Sequence, residues 1–401
     1  MRISANTLRG QQFPAVLLLL AAGLGLLLAN LPTNDALAAL LDLHIAVPGT
    51  SLDLSVAHWV SDGFLAVFFL VVAIELRHEL THGELDSVRK AVQPAIAAAG
   101  GVLVPIAVYL VIAGGADTAR GWPIPTATDI AFALGVLAMF GRGLPSTVRV
   151  FLLALAILDD IIGIVFIAVL FAQDVQWLLF GLAVVAVAGF WLLSRLLHAS
   201  GHPLVAAAMV VVGIVTWGLV AASGIHATIA GVLLGLVMSP VPAARARHAL
   251  EPAVNGAILP LFAFVAAFVV IPALSPTRLS PAFWAIVVAL PAGKIVGISL
   301  FGWLAMRIRP KGAPPALPFA DIVAAGALGG IGFTVSLLLA NLAFAADAGV
   351  RDQAILGVLL GSLLALALSA VVVSLRARWY RQVAAMPGAQ RSTPAASEEE
   401  P

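Results

Sequence analysis

Apolar runs of roughly twenty residues recur along almost the whole chain, and short polar or turn-forming segments separate them. A run of this length, wound as an α-helix, crosses the roughly 30 Å hydrocarbon core of a bilayer. The runs are continuous rather than alternating, which favours helices over the strands of a membrane β-barrel. Hydropathy therefore predicts an all-α polytopic membrane protein of about twelve transmembrane helices. The predicted spans are 13–31, 58–80, 94–113, 123–140, 148–172, 175–195, 203–221, 225–238, 250–272, 282–306, 321–344 and 352–376.

The segment between the first two predicted helices has a different pattern. Residues 43–47 and 52–56 alternate in polarity around the turn-forming sequence PGTS, which is typical of a short β-hairpin. An irregular outer loop is the alternative. Because an isolated two-stranded hairpin is marginally stable in water, we expect outer hairpin 43–56 to contact a second copy in a homodimer.

Composition supports the membrane class and narrows the chemistry. Apolar residues make up 62% of the chain and charged residues 10%, whereas about a quarter of a soluble domain is charged. The absence of cysteine excludes disulfides, thiolate metal sites and cysteine nucleophiles, and a net charge of +1 gives no reason to expect a nucleic-acid partner. We predict one transmembrane domain at 1–380 and a disordered tail, rich in Ser, Pro, Ala and Glu, at 381–401.

Basic residues are distributed unevenly between the predicted loops. When the chain is threaded through the predicted spans, most of the 21 Lys and Arg residues fall on one side of the membrane. Only Arg120, Arg278 and Arg351 fall on the other side. The positive-inside rule then places both termini in the cytoplasm. The first run, 13–31, lacks a small-residue cleavage site, so we predict a retained helix rather than a signal peptide.

Four charged residues fall at membrane depth, where an ionised side chain costs at least a few kcal/mol and is seldom kept without a use. They are Asp129, Asp159, Asp160 and Lys294. Asp129 follows the sequence PIPTAT, whose prolines interrupt the helix and leave backbone carbonyls and Thr128 available to an ion. Asp129 would also suit the cap of a helix N-terminus, and we expect it to do both.

The Asp159–Asp160 pair lies in the sequence LAILDDIIGI, with no other polar side chain within a helical turn. Neighbouring helical residues point about 100° apart, so the two carboxylates face different partners around one cavity. Desolvation and mutual repulsion allow such carboxylates to hold protons near neutral pH, and their ionised oxygens suit Na⁺. Competition between protons and Na⁺ for the same atoms is the coupling rule of an antiporter. A buried pair with a purely structural role is the alternative.

Lys294 lies in the sequence PAGKIVG within another apolar span. A lysine alone in lipid tends to lose its proton, so an acidic partner is expected among the three intramembrane aspartates. Its distance from Arg307, about 18 Å along a helix, is too great for the side chain to reach the interface.

The sequence GALGGIGFTVS at 326–336 is a second interruption, and it lies in the span that follows Lys294. The first interruption, PIPTAT, lies in the span before the aspartate pair. Two interrupted spans in corresponding positions predict an inverted-repeat transporter fold with two broken helices crossing at mid-membrane. The predicted repeats are about 94–172 and 282–376.

Five motifs are similar, in the same order, to those of the NhaA-type Na⁺/H⁺ antiporter family, for which the inverted-repeat architecture is established. The resemblance extends over about residues 10–380. It implies an electrogenic, pH-regulated exchanger of Na⁺ or Li⁺ for protons in a bacterial inner membrane, with no cofactor and no enzymatic activity. The motifs are FFLVVAIELRHEL at 68–80, TATDIAFALG at 126–135, the aspartate-pair segment, GIHATIAG at 224–231 and GGIGFTVS at 329–336.

The resemblance also implies roles for individual residues. Asp160 would be the principal ion carboxylate, Asp159 would pair with Lys294 in one state, and Asp129 would lie with Thr128 at the crossing. A pH-sensing region is implied at the cytoplasmic mouth. Its candidates are Glu75, Arg77, His78, Glu79, His226, His248 and Glu251.

This sequence departs from the family pattern in the regulatory region. His78 replaces the Arg of many members, Arg247 and Glu251 alter the charge order beside His248, and the sequence FAFVAA at 262–267 lacks the usual Asn. These differences concern the pH range and leave the ion chemistry unchanged.

Two other functions use similar residues. An intramembrane aspartyl protease needs two aspartates from separate helices, whereas the strongest pair here is contiguous and accompanied by Lys294. A Na⁺-coupled or proton-coupled symporter of an organic solute could use the same fold. Its solute pocket would need aromatic or hydrogen-bonding groups near the broken helices, and few are present in the sequence near Asp129, Asp159 or Gly329.

Overall fold

The computed structural model describes residues 5–32, 34–46, 53–83, 85–115, 117–172, 174–272, 278–308 and 317–385. These residues form helices and one two-stranded sheet. The strands are β1 (His44–Ala46) and β2 (Asp53–Ser55). The helices are α1 (Ala5–Ala29), α2 (Asn34–Leu41), α3 (Val56–His82), α4 (Val88–Ala113), α5 (Ile130–Phe140), α6 (Ser146–Leu170), α7 (Trp177–Ser200), α8 (Pro203–Ala222), α9 (Thr228–Val237), α10 (Pro240–Ala266), α11 (Pro281–Ala305), α12 (Phe319–Gly329), α13 (Phe333–Ala343) and α14 (Ala348–Ala385).

The described residues contain nine helices long and apolar enough to cross a membrane, or up to eleven spans when each of two bent helix pairs is counted as one. The multi-pass membrane class is therefore confirmed. The predicted count of twelve is not reached, because α9 has only 10 residues. A helix of that length extends about 15 Å, half of the hydrocarbon core.

The exposed side chains of α7 and α8 indicate that these helices face lipid. Large apolar side chains point outward along both helices, including Trp177 at 75% exposure and Val185 at 67%. Contiguous apolar surface of this kind is unfavourable in water and normal for helices that face lipid.

Three long helices contain a π-helical stretch. The stretches are Trp59–Phe64 in α3, Val254–Ile258 in α10 and Ala289–Gly293 in α11. α10 begins at Pro240, ten residues before the predicted start of its span at 250. Proline is well tolerated in the first turn of a helix.

Close packing of α4 against α11 brings Lys294 into the middle of the bundle. A Cβ atom at Gly100 would lie 2.3 Å from the carbonyl oxygen of Gly297, and a Cβ at Gly297 would lie 2.1 Å from that of Gly100. Glycine at both positions allows the two backbones to touch. In the same core, α6 packs against α12 and α14 packs against α5.

The two strands form the sheet predicted at 43–56. They are antiparallel, with Ile45 opposite Leu54, whereas the predicted turn lies outside the described residues. The predicted tail is partly wrong, because α14 continues to Ala385. Residues 386–401 lie outside the described part of the chain. Following the chain through its spans, Arg77, Arg142, Arg376 and Arg381 lie at one end of the bundle, which we name the basic end.

Candidate functional site

Two broken spans meet in the core. The segment Ala119–Thr126 and α5 form one span bent by 41°, and α12 and α13 form another bent by 50°. The breaks touch directly, since the amide of Asp129 donates to the carbonyl of Ile331 at 2.6 Å. A Cβ at Gly332 would lie 2.2 Å from Ser336 Oγ and 2.7 Å from Leu290 Cδ2, so side-chain crowding at the break favours glycine.

The carboxylate of Asp129 caps two helices at once. Its Oδ1 accepts from the amide of Phe132 at 3.1 Å, in the first turn of α5. Its Oδ2 accepts from the amide and hydroxyl of Thr334 at 3.2 and 2.6 Å, in the first turn of α13. Asp129 therefore forms the predicted cap on α5 and joins the N-termini of both half-helices.

Lys294 and Asp159 form an ion pair in the core. Lys294 Nζ lies 2.6 Å from Asp159 Oδ2, and both side chains are fully buried. Thr128 Oγ1 lies 2.7 Å from Asp159 Oδ2, 2.8 Å from the carbonyl oxygen of Gly329 and 3.1 Å from Lys294 Nζ. Because a hydroxyl has a single hydrogen, Thr128 donates to either Asp159 or Gly329 and accepts from Lys294. Lys294, left without an assigned partner by residue reasoning alone, thus lies against Asp159.

The aspartate pair retains oxygens that no described residue satisfies. Asp159 Oδ1 is buried and has no hydrogen-bond partner in the described part of the chain. The carboxylate of Asp160 is half-buried and forms no hydrogen bond with any described residue. A buried acceptor without a partner is costly, and it provides oxygen ligands for a cation or a position for a proton.

The charges of the site are not balanced when every group is ionised. Lys294 offsets Asp159. The two helix N-termini capped by Asp129 together supply roughly one positive charge, which offsets that carboxylate. Asp160 remains uncompensated, with Asp159, Asp129 and Glu75 as neighbouring acids. One proton or one monovalent cation would balance the charge.

Most predicted pH-sensing residues lie at the basic end. A cavity of about 450 Å³ opens there between α3 and α10. Glu75 pairs with Arg247 at 3.2 Å, and the guanidinium of Arg77 donates to the carbonyl of Met238. Glu79 lies one turn beyond Glu75 on α3. The charged and histidine residues that line the cavity are Arg77, His78, His82, Arg247, His248 and Glu251.

His226 does not join this group. It lies between α8 and α9, with Nε2 3.7 Å from Asp62 Oδ1. Asp62 precedes Glu75 by 13 positions on α3, which is about 20 Å along the helix axis. The predicted position of His226 at the mouth with Glu75 is therefore wrong. Motif order along a chain does not determine which end of a bundle a residue reaches.

Two participants, Thr334 and His82, were not predicted. Thr334 follows the glycines that break one span, and Thr128 follows the prolines that break the other. This similarity in the sequence could have identified Thr334 as a residue of the site. His82 lies four residues after His78, and the two rings stack with centroids 5.9 Å apart. The i, i+4 spacing on one helix face was the available signal there.

Buried carboxylates and an ammonium group at the crossing of two broken spans define a membrane protein with charged groups in its interior, a feature of secondary ion transporters. The family model described as Na⁺/H⁺ antiporter 1 matches residues 5–373. This chain therefore belongs to the Na⁺/H⁺ antiporter 1 family.

Several named relatives match over most of their length. A protein named Na⁺/H⁺ antiporter NhaA 2 from Clavibacter michiganensis subsp. michiganensis is 52% identical over 384 residues, covering 95% of this chain and 94% of the relative. A Na⁺/H⁺ antiporter NhaA from Tropheryma whipplei is 44% identical, covering 96% and 98%. A Na⁺/H⁺ antiporter NhaA 3 from Streptomyces coelicolor is 41% identical, covering 95% and 82%.

Proposed function

We infer that this protein exchanges Na⁺ for protons across a membrane, and we propose that Asp159 and Asp160 are the carboxylates that the two ions share. The observation that carries this proposal is the buried pair of Lys294 and Asp159 beside a carboxylate, Asp160, that has no hydrogen bond to a described residue. Membership of a family of transporters, rather than enzymes, and the names of its relatives support exchange. They give no support to symport of an organic solute.

We propose that Na⁺ binds where protons leave. In the Na⁺-free state the ammonium of Lys294 holds Asp159 Oδ2 and a proton on Asp160 balances the charge. An incoming Na⁺ uses Asp160 and the unbonded Asp159 Oδ1, with oxygen ligands from the region of Thr128. Its charge replaces the proton on Asp160 and weakens the attraction between Asp159 and Lys294. Release of a second proton, from Lys294, makes the exchange electrogenic. Li⁺ uses the same oxygen ligands.

We propose that the chain has twelve spans, with α9 and its flanking residues as the shortest, and inverted repeats at about 94–172 and 282–376. Two packing relations support the repeats: α6 of the first contacts the broken span of the second, and α14 of the second contacts α5 of the first. We also propose that the basic end faces the cytoplasm of a bacterial cell, with both termini on that side of the inner membrane.

Regulation and assembly complete the proposal. The cavity between α3 and α10 gathers three histidines beside the Glu75–Arg247 ion pair at the basic end. We propose that this region adjusts activity to pH. The sheet formed by β1 and β2 has two strands in the described part of the chain. Because so small a sheet gains stability from a partner, we propose that it contributes to a homodimer.

Purified protein in liposomes that contain a pH-sensitive dye tests the function. Addition of Na⁺ or Li⁺ should change the internal pH, whereas organic solutes should not. Liposomes without protein are the control for leakage. A pH signal that is indifferent to Na⁺ in the unmodified protein would refute exchange.

A further inference from the structure

A buried carboxylate outside the ion site joins α12 to α14. Asp321 lies in the first turn of α12 and is completely buried. Its Oδ1 accepts from Arg376 Nε at 2.8 Å, and its Oδ2 accepts from the hydroxyl of Tyr380 at 2.5 Å. Both oxygens are thus satisfied by one turn of α14, and loss of either partner leaves a desolvated charge.

The guanidinium of Arg376 is held by its own helix. It lies over the ring of Trp379, 4.4 Å from the centroid, and 5.1 Å from the ring centroid of Tyr380. These aromatic contacts stabilise the guanidinium in the position from which it binds Asp321. On the α14 side, the guanidinium that binds Asp321 is therefore also in contact with two aromatic rings of its own helix.

The same part of α14 holds the other broken span. Arg381 donates to the carbonyl of Arg142, in the loop that follows α5. Gly143 in this loop has φ +102°, and a Cβ there would lie 3.0 Å from Arg381 Cγ and 3.4 Å from the carbonyl oxygen of Ala377. The loop therefore lies directly against α14, at a position that favours glycine.

The half-helices α5 and α12, which lie towards the basic end, consequently have contacts at both of their ends. At the crossing, α12 ends with the carbonyl of Gly329 beside Thr128, and Asp129 caps α5. At the basic end, α14 binds Asp321 and the loop after α5. Asp321 and Gly329 are separated by about 12 Å of a single helix, so displacement at one end is transmitted to the other.

We propose that Asp321, Arg376 and Arg381 form a clamp of positioning residues for exchange, which makes α5 and α12 move as one unit when the ion site changes its exposure. This inference rests on the proposed function. The clamp leaves the Asp159–Lys294 contacts untouched, so it acts on turnover more than on Na⁺ binding.

The clamp is tested with Asp321→Asn, Arg376→Gln and Arg381→Gln, with Arg378→Gln as the matched control because Arg378 is exposed on the same helix. In liposomes each clamp variant should lower the turnover of folded protein about tenfold and change the KM for Na⁺ less than about threefold. The turnover of the double variant of Asp321→Asn and Arg376→Gln should be close to that of each single variant, because each substitution alone already removes the ion pair. Unchanged turnover in folded variants, or a rise in KM at constant turnover, would overturn the clamp.

Hydrogen exchange of purified protein provides a readout that does not depend on transport. Asp321→Asn should speed amide exchange in α5 as well as in α12, whereas acceleration confined to α12 would show a merely local cap and overturn the proposal. Tyr380→Phe keeps the ion pair and removes a single donor, so it remains informative if the charge variants fail to fold. It should lower turnover about twofold to threefold, and unchanged turnover would count against the clamp. Absence of exchange in the unmodified protein would instead refute the proposed function.

Discussion

Replacing Lys294 with glutamine tests the ion pair at the centre of the site. Its Nζ and Asp159 Oδ2 are 2.6 Å apart, and neither side chain is exposed. Removing one partner of a buried pair leaves the other desolvated, at a cost of about 3–5 kcal/mol. Lys294→Gln should lower the free energy of unfolding by that amount, measured by denaturation of the detergent-solubilised protein.

Lys90→Gln is the matched control for this variant. Lys90 pairs with Asp86 at 3.1 Å, but its side chain is 41% exposed. An exposed ion pair contributes about 0.2–1 kcal/mol, so Lys90→Gln should have little effect. The double variant of Lys294→Gln and Asp159→Asn removes both charges and should recover at least about 2 kcal/mol relative to Lys294→Gln.

The reversal potential of the same variant in liposomes tests the coupling. If Lys294 releases a transported proton when Na⁺ binds, Lys294→Gln should move fewer protons per Na⁺ and less charge. If Lys294 only balances the charge of Asp159, Lys294→Gln should lower the free energy of unfolding and leave the reversal potential unchanged. Loss of stability no greater than in Lys90→Gln, with an unchanged reversal potential, would refute both roles.

Three other outcomes are expected. Asp160→Asn should abolish exchange and leave folding intact, because it removes a charge and a titratable proton with little change of volume; full transport would mean that another carboxylate is essential. Apparent Na⁺ affinity should weaken as pH falls, because a protonated carboxylate is a poorer ligand, and an affinity constant throughout the acidic range would exclude a shared site. Deletion of hairpin 43–56 should weaken dimerisation in dilute detergent while exchange in membranes persists, since the proposed ion site lies within each protomer; simultaneous loss of both would show that the hairpin supports the site.

Charge in lipid explains why part of the site was predictable. An ionised group at membrane depth is expensive, so Asp129, Asp159, Asp160 and Lys294 stood out in the sequence. Asp321 did not, because it falls at the predicted start of a span, where a carboxylate is normally solvated. Only tertiary packing against α14 reveals that it is completely buried.

The fold was predictable where hydropathy determines it. Apolar length identified the long helices, but it did not fix their ends, since α10 begins ten residues before its predicted span. The shortness of α9 and the position of His226 at the far end of α3 depend on packing between distant segments. Interrupting prolines and glycines located the two breaks, whereas the double cap by Asp129 needed both half-helices in place.

The π-helical stretch Ala289–Gly293 immediately precedes Lys294. Such a stretch accommodates an extra residue without breaking the helix, because its wider turn absorbs the rotation of about 100° that one added residue would otherwise give to the C-terminal remainder of the helix. The direction in which the ammonium points therefore depends on the π-helical turn as well as on the residue type. If the same residues were wound as a regular α-helix, the lysine would face another part of the bundle, so a match of letters at this position is insufficient to assign the same coupling role.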